Sequence, residues 1–452
     1  MTATAAIDEK KLFGENFEKL HSRLPALWPE WARALKRDGI ERFVATGFPT
    51  TRDENWRTTS LAPLAGLAFR PAPAGSDGVG AAELERAGVV ATGAFRLVFV
   101  NGRYAPGLSS RGALPPGAQA TSLSAALETS PGLIEPHLGQ IAGAGVHPFA
   151  ALNAALFEDG AFVFVPDGVA LGDPIHIVFL SLGRGHEGGP ISSHPRTLIL
   201  AGRQSRATIV ETHAGLGQEP CLANPVTEIF LGDGAAIEHD RIQREPSSTF
   251  HVSVSGARIG RDGVFASCSV SLGGALVRND SGVVLAEPGG DCTLNGLFVA
   301  AGRQHVDNHT TIDHARPECS SRELFKGILD DRARGVFDGR VVVRPDARKT
   351  DARQVNRNLL LSEECLIDTK PQLEILNDDV KCSHAATIGR LDQESLFYLR
   401  SRGIAEQPAR LMLMEAFAGD VLSGIRVEPV RRAAVEAVGA WLARTGRGVE
   451  RA

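Results

Sequence analysis

The sequence predicts a mainly β protein, a β-solenoid of coiled strands with helical regions at both ends. From about residue 160, short runs rich in Val, Ile and Phe follow one another, and turn residues close each run. The turns at Gly202, Gly234, Gly263 and Gly290 are 32, 29 and 27 residues apart. A nearly constant period of strand pairs is typical of a stacked solenoid. Because the period is loose, a β-sandwich remains an open alternative.

The N-terminal region, residues 1–155, is predicted to be helical, with a small hairpin and linkers. Its first 60 residues repeat apolar side chains at three- and four-residue spacing. Further on, LVFVNGRYAP is typical of a β-hairpin whose turn is Asn101-Gly102. The segment PAPAGSDGVG, residues 71–80, has the composition of a linker.

The solenoid core is predicted to span residues 156–390, and a C-terminal helical domain residues 391–452. In the helical domain, apolar residues return to helical spacing, and Pro408 suits a first helical turn. Such helices could cap the open end of the solenoid, bind a partner protein, or do both. The candidate partner-docking face consists of Leu411, Met414, Phe417 and Val421.

Composition and charge exclude several classes of function. The net charge is −5 without a basic stripe, so nucleic-acid binding is not expected. No segment has the ~18 consecutive apolar residues of a membrane span, and the first residues lack the apolar core of a signal peptide. The six cysteines are scattered without a CxxC pair. We therefore expect a cytoplasmic protein without a disulfide framework.

Nucleotide binding is not expected either. The chain has no P-loop motif. Gly183, Gly185 and Gly188 match GxGxxG, but Pro190 and another predicted strand follow where a dinucleotide site needs a helix.

Three histidines close together raise the question of a metal site. His305, His309 and His314 lie within ten residues. On a strand, however, His314 would face away from the other two, because side chains alternate between the two faces. Polar ladders along stacked strands are the favoured interpretation.

The segment VKCSH carries better candidate metal ligands. If it is a strand, Cys382 and His384 share one face, ~6.6 Å apart along the backbone, and their side chains could reach one ion. Zinc or an iron–sulfur cluster needs about four ligands, so two do not make a site. Either the pair is buried packing, or it is half of a site that another chain completes at the unpaired edge of the last strands.

Longer segments resemble the SufB/SufD family. They are QHVDNHTTIDHARPECSSRELFKGIL (304–329), GVFDGRVVVRPDARKTDARQVNRNLLLSEE (335–364) and DTKPQLEILNDDVKCSHAATIGRLDQESLFYLRSRGI (368–404). Upstream, GFPTTRDENW, FVNGRYAPGLS and FAALNAALFEDGAFVFVP are similar to the same family. The resemblance covers nearly the whole chain. Within the family, the segments KCSHAAT and DNHT are more similar to SufD than to SufB.

The resemblance implies a right-handed parallel β-helix between helical regions, and a non-enzymatic scaffold subunit of SUF iron–sulfur cluster assembly. It implies SufB as a partner through the β-helix, and the SufC ATPase as a partner of the C-terminal helices. His384 is carried over as an interfacial ligand or iron handler, with Cys382 as its weaker neighbour. The subunit alone is expected to hold no firmly bound cofactor. Iron or a nascent cluster would be held transiently in the complex, and the resemblance also implies reduced FAD as a ligand that the complex could bind.

Two other functions remain open. A β-helical polysaccharide hydrolase or lyase would use Asp330-Asp331 and Asp378-Asp379, although neighbours on a strand point to opposite faces. Trp and Tyr, which number six together, are too scarce for a typical sugar-binding groove. A purely structural docking solenoid would use Cys382 and His384 as packing only. A homodimer through the exposed edge is an open alternative to the SufB pair.

Overall fold

The fold is known from a computed structural model, which describes residues 7–72, 78–141, 147–183 and 189–445. Residues 73–77 of the predicted linker, with Gly185 and Gly188 of the GxGxxG match, lie outside the described residues. Strands hold 38% of the chain and helices 26%, arranged as a β-solenoid of about 7 turns with helices at both termini. The predicted mainly β solenoid is therefore confirmed.

The N-terminal elements precede the regular solenoid. The helices are α1 (Glu9–His21), α2 (Glu30–Thr46), α3 (Ala62–Ala65), α4 (Ala81–Arg86), α5 (Leu123–Thr129), α6 (Pro131–Ile134) and α7 (Pro148–Leu156), and the strands are β1 (Arg70–Pro71), β2 (Phe95–Val100), β3 (Arg103–Tyr104) and β4 (Gln119–Ser122). Asp8 caps the N-terminus of helix α1, where its carboxylate accepts hydrogen bonds from the backbone amides of Lys10 and Lys11.

The predicted hairpin is confirmed. Strands β2 and β3 pair antiparallel, and Asn101 and Gly102 between them both have positive φ, as a two-residue hairpin turn requires. Strand β2 also pairs in parallel with a later strand, so a solenoid sheet begins as early as Phe95. The boundary at residue 155 stays a prediction.

The solenoid strands follow one another along the rest of the core. They are β5 (Ala161–Val165), β6 (Ile175–Ser181), β7 (Ile191–Ser193), β8 (Arg196–Ala201), β9 (Arg206–Gly215), β10 (Cys221–Ala223), β11 (Val226–Leu231), β12 (Ala236–Arg244), β13 (Thr249–Ile259), β14 (Val264–Ser271), β15 (Leu276–Leu285), β16 (Asp291–Ala300), β17 (His305–His314), β18 (Ser320–Leu329), β19 (Arg334–Val343), β20 (Asp351–Leu360), β21 (Leu366–Ile375) and β22 (Lys381–Gly389).

From β11 onward, strands that follow one another alternate between two sheets, and the short strands β1, β7 and β10 join the first sheet beside its main path. The first sheet runs β21-β19-β17-β15-β13-β11-β8-β5-β4, and the second runs β22-β20-β18-β16-β14-β12-β9-β6-β2-β3. Apart from the end pairs β4/β5 and β2/β3, the neighbours are parallel. Parallel pairing of every second strand excludes the β-sandwich alternative, because a sandwich pairs hairpin strands antiparallel.

The space between the two sheets, called here the lumen, is filled by inward-facing side chains. One lumen row passes in register through Phe265, Cys292, Ser321, Ala352 and Cys382. Most members of this row are buried in one apolar cluster, and Cys382 packs against it. The cluster is continuous from turn to turn, which is how a solenoid buries its core.

The C-terminal helices are α8 (Gln393–Ser401), α9 (Glu406–Leu422) and α10 (Glu428–Thr445). Helix α9 packs on the outer face of the second sheet, against β16 and β18. Helix α9 therefore does not cap the open solenoid end, which was one of the roles left open for these helices. Among the described helices, none is both long and apolar enough to cross a membrane.

Candidate functional site at the solenoid end

The solenoid ends in two strands that are each paired on one side only. Strand β21 pairs with β19, and β22 pairs with β20; within the part of the chain that the structure describes, nothing pairs with their outer edges. All residues of β22 except Cys382 are exposed. Unpaired edge strands expose backbone N–H and C=O groups that a further chain can bind.

Cys382 lies on the lumen side of β22 and is half-buried against the apolar cluster. Burial raises the pKa of its thiol above the ordinary value of 9.0, with the carboxylate of Asp351 acting in the same direction. The thiol is therefore protonated at neutral pH. A metal ion would have to displace this proton to bind the sulfur.

His384 lies two residues further along β22 and shares the face of Cys382, because side chains alternate along a strand. The shared face predicted for this pair follows from the strand. His384 is exposed at the mouth of the lumen, and its Cα pairs with that of Gln354 on β20. Both candidate ligands thus stand where the solenoid stops.

Large apolar side chains surround this end of the solenoid. Leu366, Ile375, Leu376 and Ile388 are 51%, 41%, 60% and 50% exposed. These residues lie on the two terminal strands and directly after β21, and apolar surface exposed beside unpaired strand edges marks a candidate surface for protein association. The sequence predicts the open edge but none of these exposed residues.

The three clustered histidines do not converge. His314 is buried in the lumen, with its Nε2 2.9 Å from Ser321 Oγ. His305 Nε2 lies 2.8 Å from Thr59 Oγ1, and His309 Nε2 lies 3.1 Å from Asp307 Oδ1, both on the outer face. Among the residues that the structure describes, no group of three or more His, Cys, Asp and Glu side chains is arranged to hold a metal ion.

The paired aspartates lie in turns between strands. Asp331 has a positive φ, and its Oδ2 accepts the amide of Gly302 at 2.9 Å. Asp378 and Asp379 are exposed in the turn before β22. A similar bond joins turns elsewhere, since Asp233 accepts the amide of Arg261 at 3.0 Å. Asp331 therefore links neighbouring turns of the solenoid by a hydrogen bond.

The residues predicted as a partner-docking face cover the protein's own sheet. Met414 and Val421 are 2% and 0% exposed, and Leu411 and Phe417 pack against the same cluster on the second sheet. Met414 and Val421 are therefore not free to bind a partner, because the chain itself covers them, whereas Leu411 and Phe417 are half-buried. The helical domain instead exposes Phe397, Tyr398 and Met412, at 72%, 56% and 46%.

Comparison with known proteins gives one consistent result. The family model described as "SUF system FeS cluster assembly, SufBD core domain" matches residues 184–417, and the SufBD N-terminal region model matches residues 8–177. A SufBD family protein of Synechocystis is 35% identical over 86% of this chain and 87% of its own length. The iron–sulfur cluster assembly protein SufD of Escherichia coli is 30% identical over 88% of this chain and 90% of its own length.

Proposed function

Because the chain belongs to the SufBD family of the SUF system for iron–sulfur cluster assembly, we propose that it is the accessory scaffold subunit of the SufD type. It turns over no small substrate and contributes to iron acquisition and nascent cluster assembly. Similarity to the Escherichia coli protein named SufD over 90% of its length supports this choice. Iron, or the nascent cluster, is the cargo of the complex.

The proposed site for iron or the nascent cluster is shared between this chain and a second chain. The observation that carries it is an exposed His384 beside Cys382 on a last strand that nothing in the described chain covers. Two ligands fall short of the four that iron–sulfur clusters use, so a second chain has to supply the others. His384 binds through the lone pair of its neutral imidazole, and Cys382 is the weaker ligand because its thiol holds its proton.

Family membership suggests SufB and SufC as the partners, and we assign each of them to a surface that remains open. SufB is proposed to continue the two sheets at β21 and β22, where its backbone would pair with the free edges and its side chains would cover the exposed apolar residues. The SufC ATPase is proposed to bind the C-terminal helices at Phe397, Tyr398 and Met412. The association of the complex with reduced FAD stays a prediction without assigned residues.

The experiment is a replacement of His384 in cells that depend on this protein for cluster assembly. In His384→Ala, activity of iron–sulfur enzymes should fall while pull-down of SufB and SufC is retained. The matched control is Ser383→Ala, an exposed neighbour that points to the other face of β22.

Each result has one meaning. Lost assembly with intact pull-down supports the shared site. Normal assembly in His384→Ala removes the metal role and leaves a purely structural docking subunit. Failure to recover SufB and SufC with the wild-type chain, or recovery of a homodimer alone, would contradict the proposed place in the complex.

A further inference from the structure

Two buried polar residues lie directly behind His384 in the lumen. His384, Gln354 and Glu323 occupy paired positions on β22, β20 and β18, three successive strands of the second sheet. Gln354 is 0% exposed and Glu323 is 3% exposed. Side chains at paired positions of parallel strands stack about 4.8 Å apart on the same face, so these three form one column that ends at the mouth.

The side-chain amide of Gln354 is hydrogen-bonded through its nitrogen but not through its oxygen. Its Nε2 donates to Glu323 Oε2 at 2.6 Å. Its Oε1 is buried and has no hydrogen-bond partner. Because the oxygen and nitrogen of an amide diverge from one carbon, an amide whose nitrogen is held towards β18 turns its oxygen away from Glu323. The strand on the other side is β22, where His384 holds the paired position.

A buried acceptor without a donor is costly, and a histidine that binds metal needs a second partner. A neutral imidazole has one N–H and one lone pair. Histidines that bind metals almost always donate the other N–H to a carboxylate or a carbonyl, which fixes the tautomer and the ring orientation. The open Oε1 of Gln354 is an acceptor of the required kind, on the strand that pairs with β22.

We propose that Gln354 is a positioning residue for His384: its Oε1 accepts the imidazole N–H and leaves the other ring nitrogen free for the metal. Glu323 holds the Gln354 amide in the orientation that presents oxygen, not NH2, to the histidine. The metal part of this inference rests on the function proposed for His384, whereas the hydrogen bond does not.

The hydrogen bond is tested by NMR of the full-length chain with 15N-labelled histidine. Two-bond 1H–15N correlations report the tautomer of each neutral ring, and His384→Gln identifies the signal of His384. In Gln354→Met, which keeps the length but loses the acceptor, the ratio of the two tautomers should change about fivefold, the equivalent of one net hydrogen bond.

The metal part is tested with Co2+ added to the complex of this chain with its SufB-type partner. Gln354→Met should lower the Co2+ affinity about 10- to 100-fold. Gln354→Glu, which keeps an acceptor oxygen, should recover much of the loss. The matched control is Asn356→Leu, because Asn356 is an equally buried amide on β20 whose oxygen is already bonded to Thr369 at 2.8 Å.

The outcomes separate this inference from the proposed function. Unchanged Co2+ binding in His384→Ala would remove the metal role of His384, and the NMR experiment would still decide the hydrogen bond. An unchanged tautomer ratio in Gln354→Met, or an equal change in Asn356→Leu, would overturn the inference. So would full Co2+ affinity in Gln354→Met when His384→Ala has lost it.

Discussion

The ammonium group of Lys326 lies 4.5 Å from the centre of the Phe417 ring, at the contact between β18 and α9. The same group donates to the carbonyl oxygen of Phe417 at 2.8 Å and to Asp420 at 2.6 Å. Lys326 is 1% exposed, so this contact is part of the packed interior. This contact holds α9 against the solenoid through the same helix face that the apolar periodicity suggests for binding a partner.

A SufC-type ATPase should therefore bind the side of the helical domain that carries Phe397. Phe397→Ala should weaken this binding by about tenfold or more, as the loss of a central aromatic anchor does. Folding should be unaffected, because the ring is 72% exposed. Leu27→Ala is the matched control, since Leu27 is 74% exposed in the N-terminal region. Equal dissociation constants for Phe397→Ala and wild type, measured by calorimetry, would rule out this surface.

Pairing with the SufB-type partner should depend on the apolar side chains at the solenoid end. Ile388→Asp places a charge on β22 at a position that is 50% exposed, so the free chain should keep its melting temperature. Burial of the unpaired carboxylate in the interface should weaken association at least about tenfold. Val264→Asp, at an exposed site on β14 far along the solenoid, is the control. Analytical ultracentrifugation of the mixed chains measures both, and undiminished association of Ile388→Asp would contradict the proposed interface.

Because of the buried Lys36, the free energy of unfolding should change with pH in the alkaline range. Burial lowers the pKa of its ammonium to about 7, while the unfolded chain keeps the ordinary value of 10.5. Between these values the unfolded state binds more protons, so this group adds stability as pH rises and removes it as pH falls towards 7. Lys36→Met should be more stable than wild type by ~2–4 kcal/mol at pH 7, with a smaller gain at pH 9.5.

The measurement for Lys36 is the melting temperature of both proteins at the two pH values. Lys19→Met, at an exposed position of α1, is the control and should change little. A gain from Lys36→Met that is the same at pH 7 and pH 9.5 would show that the lysine stays charged in the folded protein.

Glu323 should have the opposite pH dependence. Burial raises the pKa of its carboxyl group from 4.5 to about 7, so between these values the folded state binds more protons. Its contribution to stability therefore falls as pH rises through this window. Glu323→Gln should stabilise the protein by ~1–3 kcal/mol at pH 8 and give no gain at pH 5. Urea unfolding measures both, Glu363→Gln at an exposed site is the control, and an equal gain at both pH values would refute the assignment.

The solenoid could be predicted because its signals are local. Turn glycines such as Gly234 recur at about the length of one solenoid turn. The structure shows the same spacing, because Arg206 pairs with Ala236 and Asp351 pairs with Lys381, 30 residues later in both cases. The shared face of Cys382 and His384 could be predicted for the same reason, since it needs only the two-residue period of a strand.

The packing of α9 could not be predicted from the sequence. An apolar helix face looks the same whether a partner or the protein's own sheet covers it, and Lys326, which holds α9, is 91 residues from Phe417 in sequence. The column behind His384 was missed for a related reason. Its members lie on different turns, so finding it needs the register between strands, and a period that varies from turn to turn does not fix that register.

The central claim is that His384 binds iron in a site shared with a second chain. X-ray absorption at the iron edge, recorded on the anaerobic complex with SufB-type and SufC-type partners after addition of Fe2+, tests it most directly. Imidazole scattering around iron is expected in the wild-type and Ser383→Ala complexes, and its loss is expected in the His384→Ala complex. Identical iron spectra in wild type and His384→Ala would contradict it.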